Sequence, residues 1–250
     1  MIADGKLLED QFEYYLESRK YSELSDNLQD FIKHLFPFLD RNLDIHCNKT
    51  DQLIKPDICI WQKDERRFVS LKSGAVETIH CENLISFVEF LRANNIDEYT
   101  IQTYLLYHYG DGTINGTGKR RLNSVEVRTK LAKRIELMNK VLNSSKDFIK
   151  KFADRVLFQG CNDDVYPAGF IYHGDIDYGK YISRNQLMKH IDNKSWDYMV
   201  SCVHIGPFTI RPKARYSGKE IKSDDNRRLI TVNYPRFYDD IIIMSKKYLF

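Results

Sequence analysis

Pro56-Asp57-Ile58-Cys59-Ile60-Trp61 and, six residues further on, Phe68-Val69-Ser70-Leu71-Lys72-Ser73-Gly74 are the two runs that decide how this chain is read. Both are short, apolar and partly β-branched, and the polar Lys63-Asp64-Glu65-Arg66 between them has the length of a hairpin turn. Residues 57–61 and 67–72 are therefore expected as paired strands. Alternation places Asp57, Cys59 and Trp61 on one face of the first strand. On the second, Ser70 and Lys72 share a face and Val69 and Leu71 take the other. Pro56 suits the opening position of a strand. A lysine closing an apolar strand is costly unless an anion meets it, and Asp57 at the start of the neighbouring strand is the natural anion.

Outward from this hairpin the periodicity predicts helices and strands in alternation. Leu8, Phe12, Tyr15 and Leu16 recur at helical spacing within 5–19, and Leu28, Phe31, Ile32 and Leu35 do so after Ser25, an N-cap residue type; Pro37 marks the end of that second helix. Residues 80–94 are expected as a helix, 99–107 (YTIQTYLLY) as a strand from their aromatic and β-branched content, and 108–124 as a long glycine-rich loop. Residues 125–156 form a basic helix or helix pair with a break at Asn143-Ser144-Ser145. A strand over 168–173, a short helix capped by Ser183, and strands within 196–212 and 228–234 complete the chain. The expected fold class is α/β, a central mixed sheet flanked by helices with additional C-terminal strands, and the expected organisation is one domain over 1–250.

The 250 residues are 42% hydrophobic and 29% charged, with 16 Tyr and 14 Phe, ordinary for a globular chain with a sizeable core. No apolar run is long enough to span a bilayer, and the acidic start MIADGKLLEDQF lacks the pattern of a secretory signal. The five cysteines, at 47, 59, 81, 161 and 202, are scattered and form no CxxC pair, so a reducing cytoplasm is expected. The net charge of +3 conceals an asymmetry: residues 119–155 carry +8 and residues 204–236 carry +5, leaving −10 for the rest. Two basic segments on a near-neutral chain suggest contact with a polyanion. GTGKRR lacks the first glycine and the Ser/Thr of a P-loop, and GxSxG, HExxH and GxGxxG are absent.

Phosphodiester hydrolysis needs what the hairpin gathers. A carboxylate holds Mg²⁺, which neutralises phosphate and acidifies a bound water, and a lysine orients that water or offsets developing charge. Pro56-Asp57, twelve residues, then Ser70-Leu71-Lys72 resembles the PD-(D/E)xK nuclease superfamily, with Ser70 at the position of the usual acid. Gly5-Lys6-Leu7-Leu8-Glu9 is similar to the G-x-x-x-E of the preceding helix in that superfamily, and 80–94 corresponds to its helix after the lysine strand. The resemblance covers roughly residues 5–107, the expected catalytic core. It implies a restriction-endonuclease-like core and a type II restriction endonuclease that needs Mg²⁺, cuts double-stranded DNA at a specific short sequence and leaves 5′-phosphates. It also implies a homodimer and a cognate DNA methyltransferase as genetic partner. Asp57 and Glu9 would bind the metal and Lys72 serve the water. Ser70, which cannot be an anionic ligand, would orient water or the lysine. Glu82 and Glu77 are weaker candidate ligands, and Cys59 is expected to pack. Other nucleases of the superfamily, for repair or junction resolution, and a DNA-binding protein with a decayed site remain alternatives.

DNA contacts are expected in three places. Residues 196–236 are expected as recognition strands and loops. Within them Thr209, Arg211, Lys213 and Arg215 share a parity, so an extended segment aims its cations to one side, and Arg can bond guanine bidentately; a basic edge strand is the alternative. Asn226, Arg227 and Arg228 add further donors. The loop Gly110–Arg121, ending in Lys119-Arg120-Arg121, is expected to clamp the backbone, with the 119–155 helices behind it. His80 is a candidate phosphate contact or a local helix cap.

Overall fold

The chain is described here from a computed structural model over residues 5–51, 55–73, 78–160, 166–196, 202–214, 216–219 and 225–247. In chain order its helices and strands are α1 (Gly5–Leu16), β1 (Arg19–Lys20), α2 (Asp26–Leu35), β2 (Asp44–Lys49), β3 (Ile58–Gln62), β4 (Glu65–Lys72), β5 (Thr78–Asn83), α3 (Leu84–Ala93), α4 (Glu98–Tyr109), α5 (Ser124–Lys130), α6 (Ala132–Leu142), α7 (Lys146–Asp154), β6 (Phe170–His173), β7 (Lys180–Ser183), α8 (Arg184–Asp192), β8 (Val203–Ile205), β9 (Phe208–Pro212), β10 (Leu229–Asn233) and α9 (Phe237–Lys247). No helix among the described residues is long and apolar enough to cross a membrane.

These elements divide into two compact units. Unit one comprises Met1–Val76, Ala153–Asp192 and Arg236–Phe250; unit two comprises Glu77–Phe152 and Asn193–Pro235. The expected catalytic stretch 5–107 is thus shared between them.

Unit one is built on a six-stranded sheet in the order β1-β2-β3-β4-β6-β7. It is mixed, because β4 and β6 run parallel while the other pairs are antiparallel. The hairpin is present as expected, with a tighter turn. Lys63-Asp64 alone make it, Lys63 taking a left-handed φ of 55°, and Glu65 and Arg66 join the strand. Short loops of this kind follow the twist of the strands they connect. One sheet face packs on Leu8, Phe12 and Leu16 of α1 and Leu28, Phe31, Ile32 and Leu35 of α2, through Ile45, Cys47, Ile58, Ile60, Val69, Leu71 and Tyr172. The Tyr172 hydroxyl accepts a hydrogen bond from Asn27 at 2.7 Å and fixes α2 over β6. On the other face His173 packs edge-on against Phe237 of α9.

Unit two carries a four-stranded antiparallel sheet in the order β5-β10-β9-β8. Two sequence expectations fail here. Residues 80–83, read as the start of a helix, belong to β5, and α3 begins only where Asn83 accepts a hydrogen bond from the Ile85 amide at 2.9 Å. Residues 99–107, read as a strand, lie in α4. Asp97 caps it through the Thr100 amide at 2.9 Å, Gly110 ends it at φ 59°, and the buried residues Thr100, Ile101, Thr103, Tyr104, Tyr107 and His108 follow helical spacing. End signals and period outweighed strand propensity. The late strands form this second sheet with β5. The break at 143–145 separates α6 from α7 as expected.

Candidate active site

The hairpin register pairs Ile58 with Val69, which sets Asp57 opposite Ser70 and on its face. The Asp57 amide donates to the Val69 carbonyl at 2.9 Å, so the backbone at the strand start is held in the ladder. Asp57 Oδ2 accepts from the Leu71 amide at 2.5 Å and from Ser70 Oγ at 3.0 Å. Lys72 Nζ donates to Ser70 Oγ at 2.8 Å and to the Leu71 carbonyl at 2.9 Å, and stands 3.7 Å from Asp57 Oδ2. Ser70, fully buried, thus accepts a hydrogen bond from the ammonium and donates one to the carboxylate. The side chains of Asp57 and Lys72 keep 29% and 21% of their exposure, so the set opens to solvent. The Leu71 amide is a member that side-chain reasoning missed; the tight register that aims it at Asp57 is its only sequence signal.

Glu9, on α1, is half-buried. Burial raises its carboxyl above the usual range, and the charge of Asp57 raises it further, with Lys49 partly opposing. Lys49 itself is engaged by Asp10 at 2.6 Å and Glu13 at 3.4 Å. Among the described residues neither Asp57 Oδ1 nor the Glu9 carboxylate takes a hydrogen bond or salt bridge. Asp57 Oδ1 and the Glu9 carboxylate are the hard oxygen donors that could hold a Mg²⁺, which commonly uses one or two carboxylates and completes its shell with water and phosphate. No group of three or more His, Cys, Asp or Glu able to hold a metal occurs among the described residues. Cys59 is half-buried on the same face, its thiol raised by burial. Glu77 lies outside the described residues. No family model matches the chain, and no curated protein does.

Unit two holds the remaining sequence candidates, and burial separates them. His80 and Glu82 belong to β5; Nε2 and Oε1 are 3.7 Å apart, with side chains 9% and 0% exposed. His80 therefore neither caps a helix nor faces solvent, and Glu82 is an inward-facing residue. Arg121 is buried: its guanidinium donates to the His108 carbonyl at 2.8 Å and lies over the Tyr216 ring. Arg227 meets Asp111 at 2.7 Å, with the Asp111 side chain fully buried. These two arginines are struts of the loop 110–123, which is a packed structure and not a loose clamp. A Cβ on Gly118 would strike Asp111 and one on Gly116 the Tyr109 ring, so its glycines admit the protein's own side chains.

Lys119, Arg120, Asn226 and Arg228 are exposed, Arg120 with Glu126 at 2.9 Å. On β9 the burial alternates as predicted, with Phe208, Ile210 and Pro212 inward and Arg211 exposed; Lys213 beyond the strand is exposed as well. Arg215 lies outside the described residues. β9 runs between β10 and β8, so Arg211 does not guard a sheet edge.

Proposed function

We propose that the chain is a Mg²⁺-dependent endonuclease with a restriction-endonuclease-like core that hydrolyses double-stranded DNA at a specific short sequence and leaves 5′-phosphates. The observation that carries this reading is the hydrogen-bonded chain Lys72–Ser70–Asp57. A plain surface hairpin has no reason to bury a serine hydroxyl between a cation and an anion.

In this reading Asp57 and Glu9 would hold the metal, which supplies charge neutralisation at the phosphate and an acidified water. The chain's own residues do the rest. The Leu71 amide and Ser70 hydroxyl orient the Asp57 carboxylate through Oδ2 and leave Oδ1 for the cation. Ser70 and the Leu71 carbonyl fix the Lys72 ammonium near that carboxylate, where it offsets charge developing on phosphate oxygens. Serine at this position removes an anion, so the site depends on Glu9 more than one with an acid at position 70. Arg211 and Lys213 are the cations best placed to touch DNA on unit two.

The test is digestion of a plasmid of known sequence with and without Mg²⁺. Discrete fragments that require the metal and vanish in Asp57→Ala and Lys72→Ala support the proposal. Unchanged cutting in either variant, or tight DNA binding with no cutting by the unaltered chain, overturns it.

A further inference from the structure

The face that carries Asp57, Ser70 and Lys72 continues along the hairpin as a row of aromatic side chains. His46 pairs with Trp61 across β2 and β3, and their rings stack at 5.3 Å with 22° between planes. Trp61 pairs in turn with the exposed Arg66 across β3 and β4. One row closer to the site, Phe68 stands opposite Cys59 and stacks on Tyr166 at 5.0 Å and 22°. None of these aromatics is sealed into a core: Trp61 and Phe68 are half-buried, the His46 side chain is 34% exposed and Tyr166 56%. The Glu17 carboxylate meets His46 Nδ1 at 3.1 Å and holds that ring in place. Gly169, whose amide donates to the Phe68 carbonyl, has open space where a Cβ would stand. The opposite face of the same strands is filled by α1 and α2, and on this face α9 meets His173, the residue paired with Lys72 on β6.

We propose that this face is a stacking platform for unpaired nucleobases, which leads a short single-stranded stretch of DNA to the Asp57–Ser70–Lys72 set. Single-stranded nucleic acid is held by this pairing of aromatic faces, which accept any base, with cations for the backbone. Arg66 supplies a cation at one end of the row and Lys72 one at the other. At about 3.4 Å per residue, Trp61 lies about 14 Å along the strand from Asp57, a span of two or three nucleotides. The inference rests on the nuclease reading for what happens at the far end, and it adds that bases next to the cut are unstacked from their duplex.

Binding is read separately from cutting, by tryptophan fluorescence of the full chain in EDTA, with Trp196→Phe to isolate Trp61. An eight-nucleotide oligothymidylate and its duplex with oligoadenylate are the probes. The expected result is quenching by the single strand, weaker quenching by the duplex, and a roughly 10-fold loss of single-strand affinity in Trp61→Ala, the order of one lost base stack. Gly169→Val fills the open slot without touching the core and is expected to weaken single-strand binding with an unchanged melting temperature. No quenching, equal quenching by both probes, or unaltered affinity in both variants overturns the platform. Dissociation of a dimer by Trp61→Ala, seen by sedimentation, would assign the face to a second copy and overturn it as well. Because the titration needs no metal, a failed platform leaves the plasmid assay standing, and a failed plasmid assay leaves the titration readable.

Discussion

Ser70→Ala is the substitution that separates a working hydroxyl bridge from a well-packed serine. The hydroxyl is fully buried and makes two charge-assisted hydrogen bonds, at 2.8 Å from Lys72 and 3.0 Å to Asp57. Hydrogen bonds to charged groups contribute about 1.5–3 kcal/mol each. Both partners keep a second anchor, Lys72 the Leu71 carbonyl and Asp57 the Leu71 amide. The loss is therefore at the low end for one such bond, about 2 kcal/mol. If that loss falls on the reacting geometry, single-turnover nicking of supercoiled plasmid at saturating enzyme and Mg²⁺ slows about 30-fold. Urea unfolding of the metal-free chain reports what part of the same loss is stability. A nicking rate within twofold of the unaltered chain refutes the bridge. A loss as deep as that of Asp57→Ala refutes it in the other direction, by making Ser70 a direct participant.

Glu9→Gln should raise the melting temperature of the metal-free chain at neutral pH, because a carboxyl raised by burial and by Asp57 is destabilising once ionised. Differential scanning fluorimetry should show the stabilisation by added Mg²⁺, about 2.7 kcal/mol at one hundred times Kd, largely lost in the same variant; retention would remove Glu9 from the metal. Burial holds His108 at a pKa of about 4, well below the ordinary value of an imidazole. The unfolded chain therefore gains the proton first as pH falls from 6.5 toward 4, and up to about 3 kcal/mol of stability is lost across that window; the fall of the urea midpoint there should be distinctly shallower in His108→Gln. Arg227→Ala leaves the fully buried Asp111 carboxylate without its guanidinium partner and should cost about 3–5 kcal/mol in urea unfolding. Arg211→Ala should weaken binding to the cleaved sequence by about 1–3 kcal/mol if that side chain reads a base; equal weakening on random DNA would mark it as a phosphate contact.

What the sequence made legible is what is local. Asp57 and Ser70 face each other across one hairpin, so alternation and loop length suffice to bring them together, and Glu9 was accessible because the helix carrying it has a clean apolar stripe. β5 was hidden because Cys81 and Glu82 precede a helix without interruption, and its strand partner, β10, begins 146 residues after Asn83. α4 was misread because YTIQTYLLY has strand composition, while the deciding signals, Asp97 and Gly110, sit outside the run. Arg121 and Arg227 looked like surface cations since nothing near them in sequence announces Asp111 or the His108 carbonyl as partners. Basic charge counted along a chain does not say which cations are spent on the protein itself.

The backbone passes between the two units four times, near residues 76, 152, 192 and 235. Neither unit is a continuous piece of polypeptide, which makes limited proteolysis an unusual probe of this molecule. A single nick at 76 or 152 is bridged by the parallel pairing of β4 with β6, and one at 192 by the pairing of β5 with β10. Fragments from such a digest should stay together under native conditions and part only in denaturant. Expressing residues 1–76 or 77–152 alone would supply a sheet lacking the strands that complete it. Any excision of the Asp57–Ser70–Lys72 site for engineering must carry three stretches of chain, joined by new linkers.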